Sequence, residues 1–254
     1  DHTREAGVRQ LDRAIARILR KVATRIASTE VSTPISVGRS ELVRYLGRPR
    51  FTSETAERTA VPGVATGLAV TGAGGDVLFV EASVMEGEPG LTLTGQLGDV
   101  MKESAHIAMS YLRSHAHQLD IPVSELQSRR VHVHVPAGAV PKDGPSAGVT
   151  MTTALASLLS GRPVRSEVGM TGEVSLTGRV LPIGGVKQKL LAAHRAGLTT
   201  VIVPKRNEPD LDDLPAEVRE RLTIHTVSDV ADVLAIALEP SEAGDQQGEL
   251  AAAA

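Results

Sequence analysis

The chain has 254 residues, long enough for one large domain with an appendage, and carries 27 basic against 30 acidic residues for a net charge of −3. That balance gives no global attraction to nucleic acid or an anionic membrane, and zero cysteines exclude disulfide and thiolate chemistry. Aromatic residues are only 2%, so the core must come from aliphatic side chains, and stacking platforms for single-stranded nucleic acid are nearly absent.

In chain order, Val8, Leu11, Ile15, Leu19 and Val22 recur at i, i+3/i+4 spacing with Arg and Lys opposite, which predicts an amphipathic helix over 4–28 packed on a neighbour. Val43 to Gly47 reads as the end of a short helix, and the polar run 48–60 as a linker, with a boundary near residue 60. Beyond it, 67–71 and 77–83 are strand-like and joined by a glycine-rich turn, as in a β-hairpin. Glu81 lies inside the second strand, where a carboxylate needs a partner or an open face. A helix is expected over 100–119, with Val100, Ser104, Ile107, Ala108 and Tyr111 inward.

Val131-His132-Val133-His134-Val135 alternates with the period of a half-buried strand, placing both histidines on one face. A histidine pair suggests metal, but no third ligand follows at a fitting spacing, so the pair reads as structural or as the wall of a site. Next comes Pro141-Lys142-Asp143-Gly144-Pro145-Ser146-Ala147-Gly148, a constrained loop that feeds a helix ending at Gly161. Ser146 there is either a helix N-cap or an oxygen nucleophile at the positive end of a helix dipole.

Residues 170–185 read as two short strands around Thr177-Gly178, followed by a helix from Val186 to Ala196 that stops at Gly197. That helix carries Lys187 and Lys189, about 200° apart around its axis, so at most one faces inward. Periodicity alone does not choose between them. An inward lysine in apolar surroundings would have its pKa lowered toward the range of a general base. Thr199 to Pro204 reads as a buried strand, 207–215 as an acidic loop and 222–227 as another strand. Ser228 is the expected cap of a last helix through Val230, Val233, Leu234 and Ala237. The tail after Pro240 is expected to be disordered.

PKDGPSAG (141–148) followed by TGEVSLTGRVLPIGGVKQKLLAAHRAG (171–197), with HVHVP (132–136) and ATGLAVT (65–71), resembles the proteolytic domain of A-type Lon ATP-dependent proteases. The resemblance covers about residues 60–238. It implies an α/β (α+β) fold with mixed sheets and flanking helices, preceded by a short helical segment. The domains it implies are 1–60 (the end of an AAA+ small subdomain, and linker), 61–240 (the protease) and 241–254 (tail). It implies Ser146 as nucleophile and Lys189 as its partner, with Thr171 orienting the lysine. Asp143, Gly144, Pro145, His132, His134 and Glu81 fall on supporting positions of the family.

Arg9 matches the family's nucleotide-sensing arginine, yet no Gly-x-x-x-x-Gly-Lys-Ser/Thr phosphate loop occurs in these residues. A fragment without its motor is therefore expected, needing no cofactor itself, whereas the full-length protein would use ATP and Mg. Val70 stands where many relatives carry an aromatic, which should change packing only. The resemblance further implies unfolded polypeptide substrates, a homo-hexamer, a cytoplasmic setting, and no membrane or clear nucleic-acid site. The competing expectations are a catalytically silent Lon-like oligomerisation module and a serine–histidine hydrolase using His132 or His134.

Overall fold

The computed structural model describes residues 2–3, 5, 7–28, 34–49, 59–119, 121–122, 129–136 and 142–240. The tail expected after residue 240 and most of the linker expected over 48–60 lie outside these. The chain divides into two compact units: residues 1–54 with 71–74, and 55–70 with 75–254.

In the smaller unit, helix α1 (Arg9–Ala27) is followed by a 3₁₀ turn (Arg39–Glu41) and the short α2 (Leu42–Leu46). Tyr45 is buried here. Lys21 Nζ donates to its carbonyl at 2.7 Å and Arg25 Nη1 to its hydroxyl at 2.7 Å. The apolar stripe was expected to pack on a neighbour, yet Val8, Leu11, Ile15 and Leu19 are exposed. The contact to α2 uses the basic side of α1, whose long side chains reach the polar groups of Tyr45.

The larger unit is built on a seven-stranded mixed sheet in the order β3-β4-β2-β1-β5-β8-β9, counted among the described residues. Its strands are β1 (Val64–Thr71), β2 (Gly74–Glu86), β3 (Gly90–Thr94), β4 (Arg129–His134), β5 (Val168–Met170), β8 (Thr200–Pro204) and β9 (Thr223–Val227). β1, β5, β8 and β9 run parallel, with Gly67 beside Met170 and Met170 beside Ile202. β4 is antiparallel to β2 and parallel to β3. β6 (Glu173–Val174) and β7 (Val180–Leu181) pair as a separate hairpin around the Thr177-Gly178 turn, as the sequence suggests.

Helices cover both faces. On one lie α3 (Asp99–His115), α4 (Gly148–Ser160) and α7 (Val230–Ala237), packed with Ala65, Val80, Val131, Val133, Met170 and Ile202. On the other, α5 (Val186–Ala196) and α6 (Ala216–Arg221) pack with Leu68, Val201 and Val203. Neighbouring residues of β8 serve opposite cores, as the strand period of two requires. α4 is buried on almost every side between the sheet, α3 and α7. Its threonines avoid an unmet hydroxyl by bonding back one turn, Thr152 to the Gly148 carbonyl and Thr153 to that of Val149.

Some expectations are corrected. α3 starts at Asp99 and turns Met101, Ser104, Ala105, Ala108, Tyr111 and Leu112 inward, while Val100 is exposed. Residues 205–213 form 3₁₀ helix rather than loop, anchored by buried Asn207, which donates to the Ile183 carbonyl and accepts from its N–H. α6 follows where no helix was expected, and β3 was not anticipated although Leu91 and Leu93 alternate with threonines. Asp229, not Ser228, caps α7: its carboxylate accepts from Ala231 N at 3.1 Å.

Candidate active site

The carboxyl ends of parallel strands are where an α/β sheet gathers loops and helix N-termini, so binding residues collect there. Strand β5 is short and buried, and the chain leaves it at Thr171-Gly172 between the two helical layers. Thr171 N–H still belongs to the sheet, donating to the Ile202 carbonyl at 3.0 Å. Gly172 N–H donates to the Ser146 carbonyl at 3.0 Å, and the Gly172 carbonyl accepts from Val149 N–H at 3.0 Å. These bonds lace the exit of β5 to the turn that starts α4. A β-carbon on Gly172 would come within 2.7 Å of Val149 Cγ2 and 3.0 Å of Val180 Cγ1, so a larger residue here would force these packed side chains to shift.

Lys189 reaches the same point from the opposite face of the sheet. Of the two lysines on α5, Lys187 is exposed, whereas Lys189 is only 2% exposed. Its Nζ donates to Thr171 Oγ1 at 3.0 Å, and that hydroxyl donates onward to the Ser146 carbonyl at 3.2 Å. Burial pushes the Lys189 pKa down from 10.5 to about 8, because removal from water penalises the ammonium form. No ion pair to Lys189 is present among the described residues, so no carboxylate offsets that penalty. Arg195, on the same helix, donates to the Gly75 carbonyl at the start of β2 and so holds α5 in place.

Ser146 is half-buried in the 3₁₀ turn Pro145–Ala147 that precedes α4. Neither that turn nor α4 has a side-chain cap, so the serine does not act as an N-cap. Its own N–H lies in a first turn, where helical N–H groups lack an intrahelical acceptor. Among the described residues no direct hydrogen bond joins Ser146 to Lys189. Thr171 links them instead.

The approach to the serine is fixed by its predecessors. Asp143 Oδ1 accepts from Met101 N–H at 3.1 Å and Gly144 N–H at 2.9 Å, capping the N-terminus of α3 from a distant loop. Gly144 has φ +123°, a backbone state that a side chain would strain, and Pro145 then sets the first residue of the turn. Lys142, to which the residue pattern assigns no role, sends its Nζ to the carbonyls of Gly95 (2.6 Å) and Val135 (3.1 Å).

His132 and His134 lie on the face of β4 away from the valine core, and Thr94 Oγ1 sits between them, 2.8 Å from His132 Nε2 and 2.7 Å from His134 Nδ1. Glu81 on β2 is directly opposite His134 in the ladder. Among the described residues no hydrogen bond joins either histidine to Ser146 or Lys189, whereas Thr171 bonds to the Ser146 carbonyl and Asp143 to the main chain of the serine loop and of α3. Sequence reasoning missed Thr94, whose only signal was its place in the Leu-Thr-Leu-Thr alternation. Among the described residues no group of three or more His, Asp or Glu side chains could hold a metal ion. No helix among them is long and apolar enough to cross a membrane.

Comparison with known proteins bears on this geometry. Residues 36–240 match the family model described as the Lon protease (S16) C-terminal proteolytic domain, and residues 1–35 match the Lon protease AAA+ ATPase lid domain. A Lon protease of Salinispora arenicola is 73% identical over 242 residues, covering 95% of this chain and 31% of the relative. That of Mycolicibacterium smegmatis is 67% identical over 241 residues, covering 95% and 31%. That of Chloroflexus aurantiacus is 56% identical over 243 residues, covering 94% and 29%. The chain thus spans less than a third of the length of these curated relatives.

Proposed function

Since the chain belongs to the Lon protease family, we propose that its larger unit is a serine endopeptidase with Ser146 as nucleophile and Lys189 as general base. The observation that carries this reading is a buried amine, its pKa lowered to about 8, hydrogen-bonded to the threonine that also holds the serine's carbonyl.

Neutral Lys189 takes the proton from Ser146 Oγ as that oxygen adds to the scissile carbonyl. The Ser146 N–H and the positive end of α4 stabilise the oxyanion. The lysine then gives its proton to the leaving amine, the C–N bond breaks, and an acyl-serine remains. A water molecule loses a proton to Lys189 and adds to the ester. The serine leaves with that proton, and the acid product departs. The bond that Lys189 Nζ donates to Thr171 Oγ1 aims the amine throughout, since an acceptor there leaves the nitrogen lone pair free to face the serine. Catalytic hydrogen bonds are often long or absent before substrate binds, so the missing direct bond between the two groups agrees with this chemistry.

Unfolded polypeptides are the proposed substrates, and a homo-hexamer coupled to an ATPase module is the proposed setting in the longer protein. The test is hydrolysis of unfolded casein by the parent and by Ser146→Ala. Turnover should vanish in a variant whose circular dichroism is unchanged. A Ser146→Ala protein cutting at the parental rate rejects the nucleophile, and an inactive parent favours the silent oligomerisation module.

A further inference from the structure

Two charged side chains, Lys142 and Asp143, precede Gly144-Pro145-Ser146, and both are spent on main chain. Asp143 faces the N-terminus of α3, its carboxylate accepting from Met101 N–H. Lys142 faces the other way. β3 and β4 run parallel and finish level, with Thr94 beside His134 and Val135 N–H donating to the Thr94 carbonyl at 3.2 Å. Parallel strands that stop together leave adjacent carbonyls without a next ladder partner. The carbonyls of Gly95 and Val135, one residue past each strand, are both taken by Lys142 Nζ.

The Lys142 backbone is bound to the same connection. Its N–H donates to the Gln96 carbonyl at 3.0 Å, and its carbonyl accepts from Gly98 N–H at 2.7 Å. Four hydrogen bonds therefore tie one residue to the ends of β3 and β4 and to the entry of α3. A lysine is a costly choice for this task, because a long side chain loses much rotamer freedom when held. It also loses hydration, and burial pushes its pKa down. Charged or neutral, the amine has at least two N–H groups, enough for both carbonyls.

We propose that Lys142 is a positioning residue for the reaction: by clamping the ends of β3 and β4 it fixes the direction in which Gly144-Pro145 deliver the Ser146 hydroxyl toward Lys189. This rests on the reading of Ser146 as nucleophile. Lys142 touches neither substrate nor the reacting atoms. Removing the clamp frees the carbonyl ends of β3 and β4 from the serine loop. The loop is then held by its main-chain bonds to Gln96, Gly98 and Gly172, by Thr171 and by Asp143, so the hydroxyl loses alignment without loss of the fold. Misalignment of about 1 Å can slow a reaction by about 100-fold.

The experiment compares the parent, Lys142→Met, Lys142→Gln and Ser146→Ala on a fluorogenic unstructured peptide, with rates referred to folded protein measured by circular dichroism and thermal melting. Lys142→Met should lower kcat by about 10- to 100-fold and leave KM within about twofold, the mark of lost alignment rather than lost binding. The midpoint of the pH–rate profile should stay where the parent has it, since Lys189 is untouched. Labelling of Ser146 by a fluorophosphonate should slow in parallel with kcat. Lys142→Gln keeps a donor but is too short to span both carbonyls, and it substitutes for the methionine variant if that one does not fold.

Parental kcat in either folded variant overturns the inference. So does a fall in activity matched by KM, a moved pH midpoint, or loss of fold and activity together in both variants. If Ser146→Ala retains turnover, the nucleophile reading has failed, whatever Lys142 does. If Ser146→Ala is inactive while Lys142→Met works at the parental rate, only the role of Lys142 has failed.

Discussion

Lys189 is the residue whose chemistry most depends on where it sits. With a pKa of about 8, roughly a tenth of the molecules hold it neutral at pH 7. Turnover should therefore rise with pH and level off above about 8, and an initial-rate profile on a short peptide checks this. A midpoint near 6.5 would point to histidine instead. The same shift affects stability. Because the folded-state pKa lies below 10.5, the unfolded chain holds more protons at this site between about 8 and 10.5. Stability from this group therefore climbs with pH through that window, and the full penalty stands below it. The gap corresponds to about 3 kcal/mol. Lys189→Met should abolish turnover yet raise unfolding free energy at pH 7 by about 1–3 kcal/mol, with the gain shrinking toward pH 10. Thr171 Oγ1 would still donate to the Ser146 carbonyl, so no buried donor is orphaned. Urea titrations at the two pH values decide the matter, and a destabilised methionine variant would contradict the account.

At the scale of elements, the site exists because α4 and α5 pack on opposite faces of one sheet and both point at the end of β5. Gly172 is the hinge of that arrangement, bonded on one side to Ser146 and on the other to Val149. Gly172→Ala should lose about 1–3 kcal/mol, the usual result of overpacking a fixed core, and should lower kcat more than KM rises. Chemical denaturation together with peptide kinetics would show both. Asp143 acts between elements in a similar way. Its carboxylate supplies α3 with the cap that Gly98 lacks, so Asp143→Ala should lower stability by about 1 kcal/mol and loosen the serine loop. A variant as stable as the parent in thermal melts would show that the cap is dispensable.

For the molecule as a whole, the lid model ends at residue 35 and the proteolytic-domain model runs over 36–240, whereas the smaller compact unit extends to residue 54. The relatives are about three times longer, and these 254 residues contain no phosphate loop. ATP should therefore leave peptide cleavage by these residues unchanged, and a stably folded substrate should resist while its unfolded form is cut. Gel assays on a folded protein and its denatured counterpart, with and without ATP, check this. ATP-stimulated loss of the folded substrate would contradict it.

Local sequence fixes what depends on neighbours along the chain. The stops of α4 and α5 at Gly161 and Gly197, the alternation of β4 and the β6–β7 hairpin were all readable, because left-handed caps and side-chain period are properties of a few consecutive residues. The motifs also announced the family. What the chain could not disclose by period alone was which lysine of α5 turns inward, since Lys187 and Lys189 have equal claims until a sheet lies beneath one of them. Nor could it disclose that Asp143 caps the start of a helix 42 residues back, that Lys142 binds strand ends, or that Asn207 anchors the 3₁₀ helix to Ile183. Those facts rest on hydrogen bonds between residues far apart in sequence, and only the packed chain decides which buried donor meets which acceptor.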